Sequence, residues 1–383
     1  MSSVNPWWYL AAGALALALA AWAHHAFWTR RFTVETGEDE VVFASTRDGW
    51  RLALGHRRPR GPARGPPVLL VHGIAANRAS MDFPLERWSL SAHLAGAGFE
   101  CFALDLRGHG LSRPARRDAP RGWRVDDYAR EDVPAALDAI REATGAPAVL
   151  WVGHSLGGLL GMVACETFPE RIAGLVAIGS PVFFSGRDRM KLLARFGFLA
   201  MGRWNRFLAR MVAPFSGFWH PPLGQVAING RNVERRVYRR VLVNVIENIS
   251  GGVLRQFARW IATDTFASAD GRLDYRAALG GCRQPALFVA AAEDRIAPPR
   301  VVARAAAAWG GEKTLLTLGT PGDALAYGHS DLLFGKNAPE EVFPCIADWL
   351  VEHSRLLAGE HSELPAGAGA PHRSRGRGAA PGA

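Results

Sequence analysis

Cysteine is scarce in this sequence, which limits the kinds of site that it can build. Only four cysteines occur among the 383 residues, at Cys101, Cys165, Cys282 and Cys345, without C-x-x-C spacing or a paired pattern. A disulfide framework is therefore not expected, and because most of the four lie in apolar runs we predict buried free thiols. His, Cys and carboxylate side chains also lack the spacing of metal ligands, so no metal site is predicted.

Nucleotide-binding signatures are missing as well. The sequence has no G-x-G-x-x-G after a predicted strand and no P-loop, so we expect no nucleotide and no other cofactor. The chain is basic, with a formal net charge of +10, but its arginines are scattered among tryptophan and phenylalanine. Because no nucleic-acid-binding motif accompanies them, attraction to anionic membrane lipids explains the charge better than binding of nucleic acid.

One long hydrophobic run distinguishes the N-terminus. Trp7–Trp28 is nearly uninterrupted apolar sequence over 22 residues. A helix of that length extends about 33 Å, enough to cross a hydrocarbon core about 30 Å thick. Aromatic residues at both ends resemble the interfacial belts of membrane helices. We predict a single-pass transmembrane anchor over residues 1–31.

The charges beside this run predict its orientation. Arg30 and Arg31 follow it, whereas Met1–Pro6 carries no lysine or arginine. The positive-inside rule then places the main domain in the cytoplasm. The alternative is a signal peptide with Ala21-Trp22-Ala23 as its cleavage site and export of the rest of the chain. The missing basic n-region and the bulky aromatic residues argue against that alternative.

Beyond the anchor, short apolar runs alternate with stretches that suit helices. This alternation stops between Pro181 and Gln284 and then resumes. It predicts an α/β fold in which a mostly parallel sheet carries helices on both faces, built from residues 38–180 and 285–358. Residues 181–284 are predicted to form a helical cap insertion. Residues 359–383 contain a run of Gly, Ala, Pro and Arg and are predicted to be a disordered tail.

The strongest functional motif directly follows the apolar run that ends at Val152. Gly153-His154-Ser155-Leu156-Gly157 has the G-x-S-x-G pattern of a nucleophile elbow, between a predicted buried strand and an apolar predicted helix. The turn holds the serine in a strained backbone conformation and exposes its hydroxyl, and the glycines avoid collisions with neighbouring elements. Ser155 is therefore the predicted nucleophile.

A serine hydroxyl needs a base, and the base needs a carboxylate that orients it. Asp294 and His329 each lie in a loop that follows a late predicted strand, where the carboxyl ends of parallel strands bring side chains together. We predict Asp294 as the orienting acid and His329 as the general base. Glu293 is the alternative acid, and Asp331 is interpreted as a helix cap.

The developing oxyanion needs two N–H donors. We predict the backbone N–H of Leu156, next to the nucleophile, and that of Ile74, in the loop after the predicted strand Val68–Val71. Other polar residues of these loops are interpreted as structural supports, namely His72, Asp105, Arg107, His109 and His154.

These motifs together resemble the α/β-hydrolase superfamily, in particular its lipase and esterase branch. In chain order they are His72-Gly73, Asp105–Ser112, Gly153–Gly158, Glu293-Asp294 with Pro298, and Gly328–Asp331. The resemblance covers roughly Val41–Glu352 and implies the α/β-hydrolase fold. Epoxide hydrolases and haloalkane dehalogenases carry aspartate at the elbow and polyester synthases carry cysteine, so Ser155 favours a serine hydrolase. Ala291 departs from the pattern, because relatives often have glycine there.

The resemblance implies a serine hydrolase that cleaves carboxylic esters through an acyl-enzyme. Together with the predicted anchor and the apolar cap, it leads us to expect a membrane-anchored hydrolase of esters with medium or long acyl chains. Its partners would be small-molecule or lipid ester substrates and membrane lipids. The cap mixes aromatic residues with arginines, which fits a lid that lines an acyl pocket and contacts anionic lipid, or else an ordinary helical cap. An acyltransferase with the same triad, and a catalytically silent protein that binds a lipid or a partner, are the other candidate functions. Oligomeric state is not predicted.

Overall fold

The computed structural model describes residues 6–184, 202–216, 218, 224–320 and 324–357. A long helix, α1 (Pro6–Phe32), precedes the main domain. Within the described ranges it is the one helix that is long and apolar enough to cross a membrane, and by length and composition it fits a membrane anchor or a signal sequence. It is longer than the predicted apolar run because Arg30 and Arg31 continue the helix to Phe32.

A nine-stranded sheet forms the centre of the described domain. In chain order its strands are β1 (Glu40–Ser45), β2 (Trp50–Arg57), β3 (Val68–Val71), β4 (Cys101–Asp105), β5 (Arg113–Pro114), β6 (Val149–His154), β7 (Ile172–Ile178), β8 (Ala286–Ala291) and β9 (Lys313–Leu318). The order across the sheet is β1-β2-β4-β3-β6-β7-β8-β9, with β5 beside β2. Pairing is parallel from β4 to β9 and antiparallel at the β2 end, so the predicted, mostly parallel α/β sheet is confirmed.

Helices cover both faces of this sheet, and others form the insertion between β7 and β8. In chain order after α1, the helices are α2 (Leu90–Gly96), α3 (Val125–Asp127), α4 (Val133–Thr144), α5 (Leu156–Thr167), α6 (202–212), α7 (Gly224–Ala227), α8 (Arg235–Arg240), α9 (Gly251–Thr263), α10 (Tyr275–Ala278), α11 (Pro299–Ala308), α12 (Asp331–Phe334), α13 (Ala338–Glu341) and α14 (Phe343–Leu357). Single π-turns follow α3 and α8, at Tyr128–Asp132 and Val241–Val245. Short 3-10 helices lie at Arg78–Ser80, Glu86–Trp88, Pro169–Arg171, Ala213–Phe215 and Leu279–Gly281.

The pleat of the strands divides the core into two layers. On β3, Leu69 and Val71 pack into the layer that includes α4, α5 and α11, whereas Val68 and Leu70 pack into the layer that includes α2 and α14. Successive side chains of a strand point to opposite faces, so a strand covered on both faces must be apolar at every position. This is why the buried strands are continuous apolar runs in the sequence.

Local capping explains where two of the helices begin. Helix α2 begins at Leu90, because the Ser89 hydroxyl accepts the N–H of Ala92. The chain leaves the helical conformation after Val245, and α9 starts where Ser250 accepts the N–H of Gly252. Side-chain caps of this kind stabilise a helix start by about 1 kcal/mol.

The insertion between β7 and β8 carries α6–α10 and forms a helical cap. A buried carboxylate, Asp126, joins cap and core: it accepts hydrogen bonds from Gln256 Nε2 at 2.6 Å, the Tyr275 hydroxyl at 3.0 Å and the Ala269 N–H at 2.8 Å. The first part of the predicted lid, 185–201, lies outside the described residues, as does the predicted tail, 359–383.

The C-terminal third of α1 lies against this cap. His24 stacks on Phe215 with ring centroids 5.7 Å apart, and His25 stacks on Phe207 at 4.9 Å. At the end of the helix, Phe32 is buried in a small cluster with Ala213 and Val243. Helix α1 is therefore packed on the cap rather than separate from the domain.

Candidate active site

Ser155 lies at the tip of β6, where the chain turns into α5. Its backbone is left-handed, with φ 53° and ψ −113°, a strained conformation for a residue with a Cβ. The Ser155 N–H donates to the Ile178 carbonyl at 2.8 Å, and the Ser180 hydroxyl donates to the Ser155 carbonyl at 3.0 Å. A Cβ on Gly157 would collide with the backbone of Val71, so only glycine lets α5 pack this closely on β3. These contacts hold the serine in the geometry of a nucleophile elbow.

His329 and Asp294 are joined beside this elbow. His329 Nδ1 lies 2.7 Å from Asp294 Oδ2, and both side chains are buried. The other oxygen, Oδ1, accepts the N–H groups of Ile296 at 2.7 Å and Ala297 at 2.6 Å. Burial alone would raise the Asp294 pKa, but the charge and hydrogen bond of His329 and these two N–H donors hold it below its usual value. An ionised Asp294 fixes the proton of His329 on Nδ1 and leaves Nε2 free to accept a proton.

The alternative carboxylates are placed differently. Glu293 is exposed, and its neighbour Asp294 makes the contact with His329. Asp331 is buried and accepts the Gly328 N–H at 3.0 Å and Asn232 Nδ2 at 2.8 Å, while burial raises its pKa. The interpretation of Asp331 as a helix cap was wrong: its carboxylate ties the loop of His329 to the cap instead of capping α12.

The loop after β3 passes directly over Ser155. An ideal Cβ built on Gly73 would lie 3.3 Å from Ser155 Cβ. Ile74 follows Gly73, and Leu156 is the first residue of α5, where helix geometry leaves the N–H without an intrahelical acceptor. The structure thus brings the segment that contains Ile74 and the residue Leu156 to Ser155, where the oxyanion donors are needed.

Two neutral histidines support these loops. His72 Nε2 accepts the Leu106 N–H at 3.2 Å, so its proton is on Nδ1 and donates to the Gly73 carbonyl at 2.8 Å. His154 Nε2 donates to the His329 carbonyl at 3.2 Å. Burial, with neighbouring histidine charge, lowers the pKa of each to about 3. Both therefore remain neutral hydrogen-bonding groups at ordinary pH.

Buried ion pairs fix the outer ends of the same loops. Asp105, at the end of β4, accepts the Arg78 N–H at 2.8 Å and pairs with Arg78 Nη1 at 2.6 Å. Arg107 donates from Nε to Asp132 at 2.7 Å and from Nη1 to Asp48 at 2.6 Å. Both arginines are buried. Their charges are matched by carboxylates that hold the loop ends in place.

Sequence reasoning missed Gly179 and Ser180. Gly179 has φ 57°, and a Cβ there would lie 3.2 Å from His329 Nδ1 and 3.4 Å from Asp294 Oδ2. A side chain at this position would crowd the pair of acid and base. The signal available in the sequence was the Gly-Ser pair that directly follows the apolar strand β7. Ser155 follows β6 in the same way.

Comparison with known proteins places this arrangement in a family. The family profile described as alpha/beta hydrolase fold matches residues 66–329. This chain belongs to the α/β-hydrolase family. The predicted superfamily and fold are confirmed.

Relatives of this α/β hydrolase include named lipases. Human lysosomal acid lipase/cholesteryl ester hydrolase is 33% identical over 153 residues, which cover 37% of this chain and 38% of the relative. Human lipase member K is 28% identical over 226 residues, which cover 55% of each chain. The chain thus spans between about a third and about half of the length of the curated relatives that it matches.

A solved structure extends the likeness over most of the fold. A thermophilic esterase from Thermogutta terrifontis superimposes with a TM-score of 0.57 at 19% identity, covering 82% of this chain and 99% of that one. At this identity the superposition establishes the shared architecture.

Proposed function

We propose that this α/β hydrolase is a serine hydrolase that cleaves carboxylic esters, with Ser155, His329 and Asp294 as its triad. The observation that carries the proposal is the buried Asp294–His329 hydrogen bond beside a serine held in a left-handed elbow. Relatives named as lipases support an ester as the substrate.

The geometry supports a two-step mechanism. Ser155 Oγ attacks the ester carbonyl carbon while His329 Nε2 takes the hydroxyl proton. The N–H groups of Leu156 and Ile74 stabilise the negative charge on the carbonyl oxygen. His329 then returns the proton to the leaving alcohol, and the acyl group stays on Ser155. Water activated by His329 attacks the acyl-enzyme and releases the carboxylic acid, while Asp294 stabilises each imidazolium.

A lipid-like acyl chain is the proposed substrate feature. The described part of the cap exposes large apolar side chains, including Trp204 at 63% and Phe218 at 78% of their surface. The ring of Trp204 also adjoins that of Phe207, and neighbouring exposed aromatic side chains of this kind mark a surface that contacts another apolar surface. We infer that the cap delivers medium or long acyl chains to Ser155.

The packing of α1 on the cap supports attachment to a membrane. His24 and His25 contact the cap residues Phe215 and Phe207, and they precede Arg30 by about one and a half turns, or about 9 Å. If α1 crosses the bilayer with Arg30 at the phosphate level, these cap residues reach the boundary between headgroups and acyl chains. Arg30 and Arg31, in the last turn of α1, support a cytoplasmic catalytic domain. Protease added to sealed inverted vesicles should then digest that domain.

Labelling with a fluorophosphonate probe tests the catalytic proposal. Wild-type protein in detergent should become labelled, and Ser155→Ala should lose both label and hydrolysis of p-nitrophenyl esters. Activity should rise from short to long acyl chains if the cap binds the acyl group. A folded wild-type protein that neither labels nor hydrolyses any ester, in detergent or in vesicles, would refute the proposal in favour of a silent lipid-binding protein.

A further inference from the structure

Asn244 connects the end of α1 to the cap. This half-buried residue lies in the π-turn Val241–Val245 and accepts the Val34 N–H on Oδ1 at 3.0 Å. Its Nδ2 donates to the Phe32 carbonyl at 3.0 Å and to the Arg240 carbonyl at 2.8 Å. One amide side chain therefore satisfies backbone groups on both sides of the point where the anchor helix ends.

The same π-turn holds the loop over the nucleophile. Asn77 Nδ2 donates to the Asn244 carbonyl at 2.8 Å and to Glu247 Oε1 at 3.0 Å. The Glu247 N–H donates to the carbonyl of Ala75 at 2.9 Å, and Ala75 is left-handed with φ 58°. A non-glycine residue keeps such a conformation only where its surroundings impose it. Asn77, Glu247 and the π-turn therefore fix the backbone next to Ile74.

A second connection runs from the segment after α1 to the other end of this loop. Glu38 Oε1 pairs with Arg78 Nη2 at 2.7 Å, and Arg78 also pairs with Asp105. All three side chains are largely buried. The chain that leaves the anchor helix is thus bound to both sides of the loop Gly73–Arg78.

We propose that Asn244 is a positioning residue that couples the segment after α1 to the oxyanion donor Ile74. It acts through the π-turn and Asn77, without contact to substrate, and the inference rests on the proposed hydrolase function. Displacement of α1 relative to the cap would shift the Ile74 N–H and so change stabilisation of the transition state. Binding of the substrate's ground state would change little, because the oxyanion forms only during reaction.

Two variants of Asn244 test this coupling in the full chain in detergent. Asn244→Ala removes the side-chain hydrogen bonds, and Asn244→Leu removes them while nearly keeping the volume. Fluorophosphonate titration gives the concentration of working sites. For both variants we expect kcat per titrated site to fall about tenfold. This is less than the ~10²–10³-fold effect of losing an oxyanion donor, because the Ile74 N–H is displaced and not removed. KM should stay within about twofold, and the Ki of a boronic acid transition-state analogue should rise by the same factor as kcat falls.

Asn248→Ala is the matched control. Asn248 is exposed in the same cap loop and accepts the Arg206 N–H at 3.1 Å, a bond internal to the cap. This variant should keep the wild-type kcat and Ki. Variants of Asn244 that lower only the titre of working sites, with kcat per site and Ki unchanged, would overturn the proposal, because a purely structural role predicts that result.

Hydrogen exchange separates this inference from the proposed activity. In both Asn244 variants, peptides that cover 33–38 and 73–78 should exchange faster than in wild type and in Asn248→Ala. If the wild-type protein has no hydrolase activity but the Asn244 variants still show faster exchange in both segments, the proposed function is refuted and the coupling is retained. Faster exchange in only one of the two segments, or in neither, would refute the coupling.

Discussion

At the scale of single residues, Asp294 shows how a buried charge is used. One oxygen contacts the imidazole of His329, and the other accepts two backbone N–H groups and so holds its own loop in place. Removal of the charge alone should leave the loop in place. It should, however, change the proton arrangement of the base.

We therefore predict that Asp294→Asn folds and binds ester but loses about 10⁴-fold in kcat, because an amide N–H next to Nδ1 favours the wrong imidazole tautomer. Steady-state kinetics of the titrated enzyme measure the effect. Glu293→Gln is the control, since Glu293 is exposed and should leave kcat unchanged. Comparable losses in both variants would argue that Asp294 is not the orienting acid.

The lowered pKa of His154 predicts how the free energy of unfolding depends on pH. Burial, then the neighbouring His329 charge, lowers its folded pKa from 6.5 to about 3. Between these values the unfolded chain binds a proton that the folded protein does not, so the free energy of unfolding falls as pH falls, by about 1.4 kcal/mol per pH unit for one such group. Above about pH 6.5 this contribution is constant.

Thermal unfolding of wild type and His154→Gln, followed from about pH 7.5 to about pH 4.5, checks this sign. The wild-type Tm should fall more steeply on acidification than that of the variant. The variant should keep part of the slope, because His72 has the same lowered pKa. Parallel curves would show that His154 does not stay neutral in the folded protein.

At the scale of elements, the packing of α5 on β3 decides where Ser155 lies. The Gly157 backbone lies so close to Val71 that a Cβ would meet backbone atoms, which cannot rotate away. The elbow therefore depends on a helix–strand distance that only glycine permits.

Gly157→Ala should cost about 3 kcal/mol or prevent folding, because overpacking against backbone cannot relax. Yield, Tm and fluorophosphonate labelling report it. Gly96→Ala is the control: Gly96 is helical with nothing within 4 Å of a Cβ, so alanine there should be neutral or slightly stabilising. A Gly157→Ala protein with wild-type Tm and labelling would contradict the account of the elbow.

At the scale of the whole molecule, the packing of α1 on the cap links the proposed membrane anchor to the proposed lipid-facing surface. Helix α1, the cap and the loop Gly73–Arg78 are one connected unit, through the stacked rings of His24 and His25 and through Asn244. This arrangement predicts that exposed apolar residues of the cap matter for lipid substrates and not for soluble ones.

Leu208→Ser should lower the hydrolysis of a long-chain ester in vesicles several-fold, because serine removes apolar surface that the cap is proposed to bury in lipid. The effect is limited because full burial of a leucine contributes about 1.5–3 kcal/mol at most. Hydrolysis of a short soluble ester should be unaffected. Initial rates on both substrates measure it. Leu356→Ser is a control of matched exposure, 53% against 51%, on α14. Equal effects of the two substitutions on the vesicle substrate would contradict a special role of the cap.

Much of the candidate site could be predicted from the sequence because each residue there has a local signature. Ser155 lies in a glycine-flanked elbow after an apolar strand, and Asp294 and His329 follow later strands. Parallel strands bring such loops to one edge of the sheet. Gly179 had only the weak signal of a Gly-Ser pair after an apolar strand, because its constraint is its distance from His329, which lies on a different loop.

The family, the alternation of strands and helices, the apolar N-terminal helix and the residue types of the proposed triad could all be predicted from the amino-acid sequence. Each of these follows from local periodicity, turn chemistry or motif spacing. The packing of distant segments was needed to show that Asp294 rather than Glu293 bonds to His329, and that Asp331 ties a loop instead of capping a helix. It also brought Asn244 and Glu38 to the loop Gly73–Arg78, which contains Ile74 and Asn77. Contacts between residues about 170 positions apart depend on how the layers pack, which no local pattern encodes.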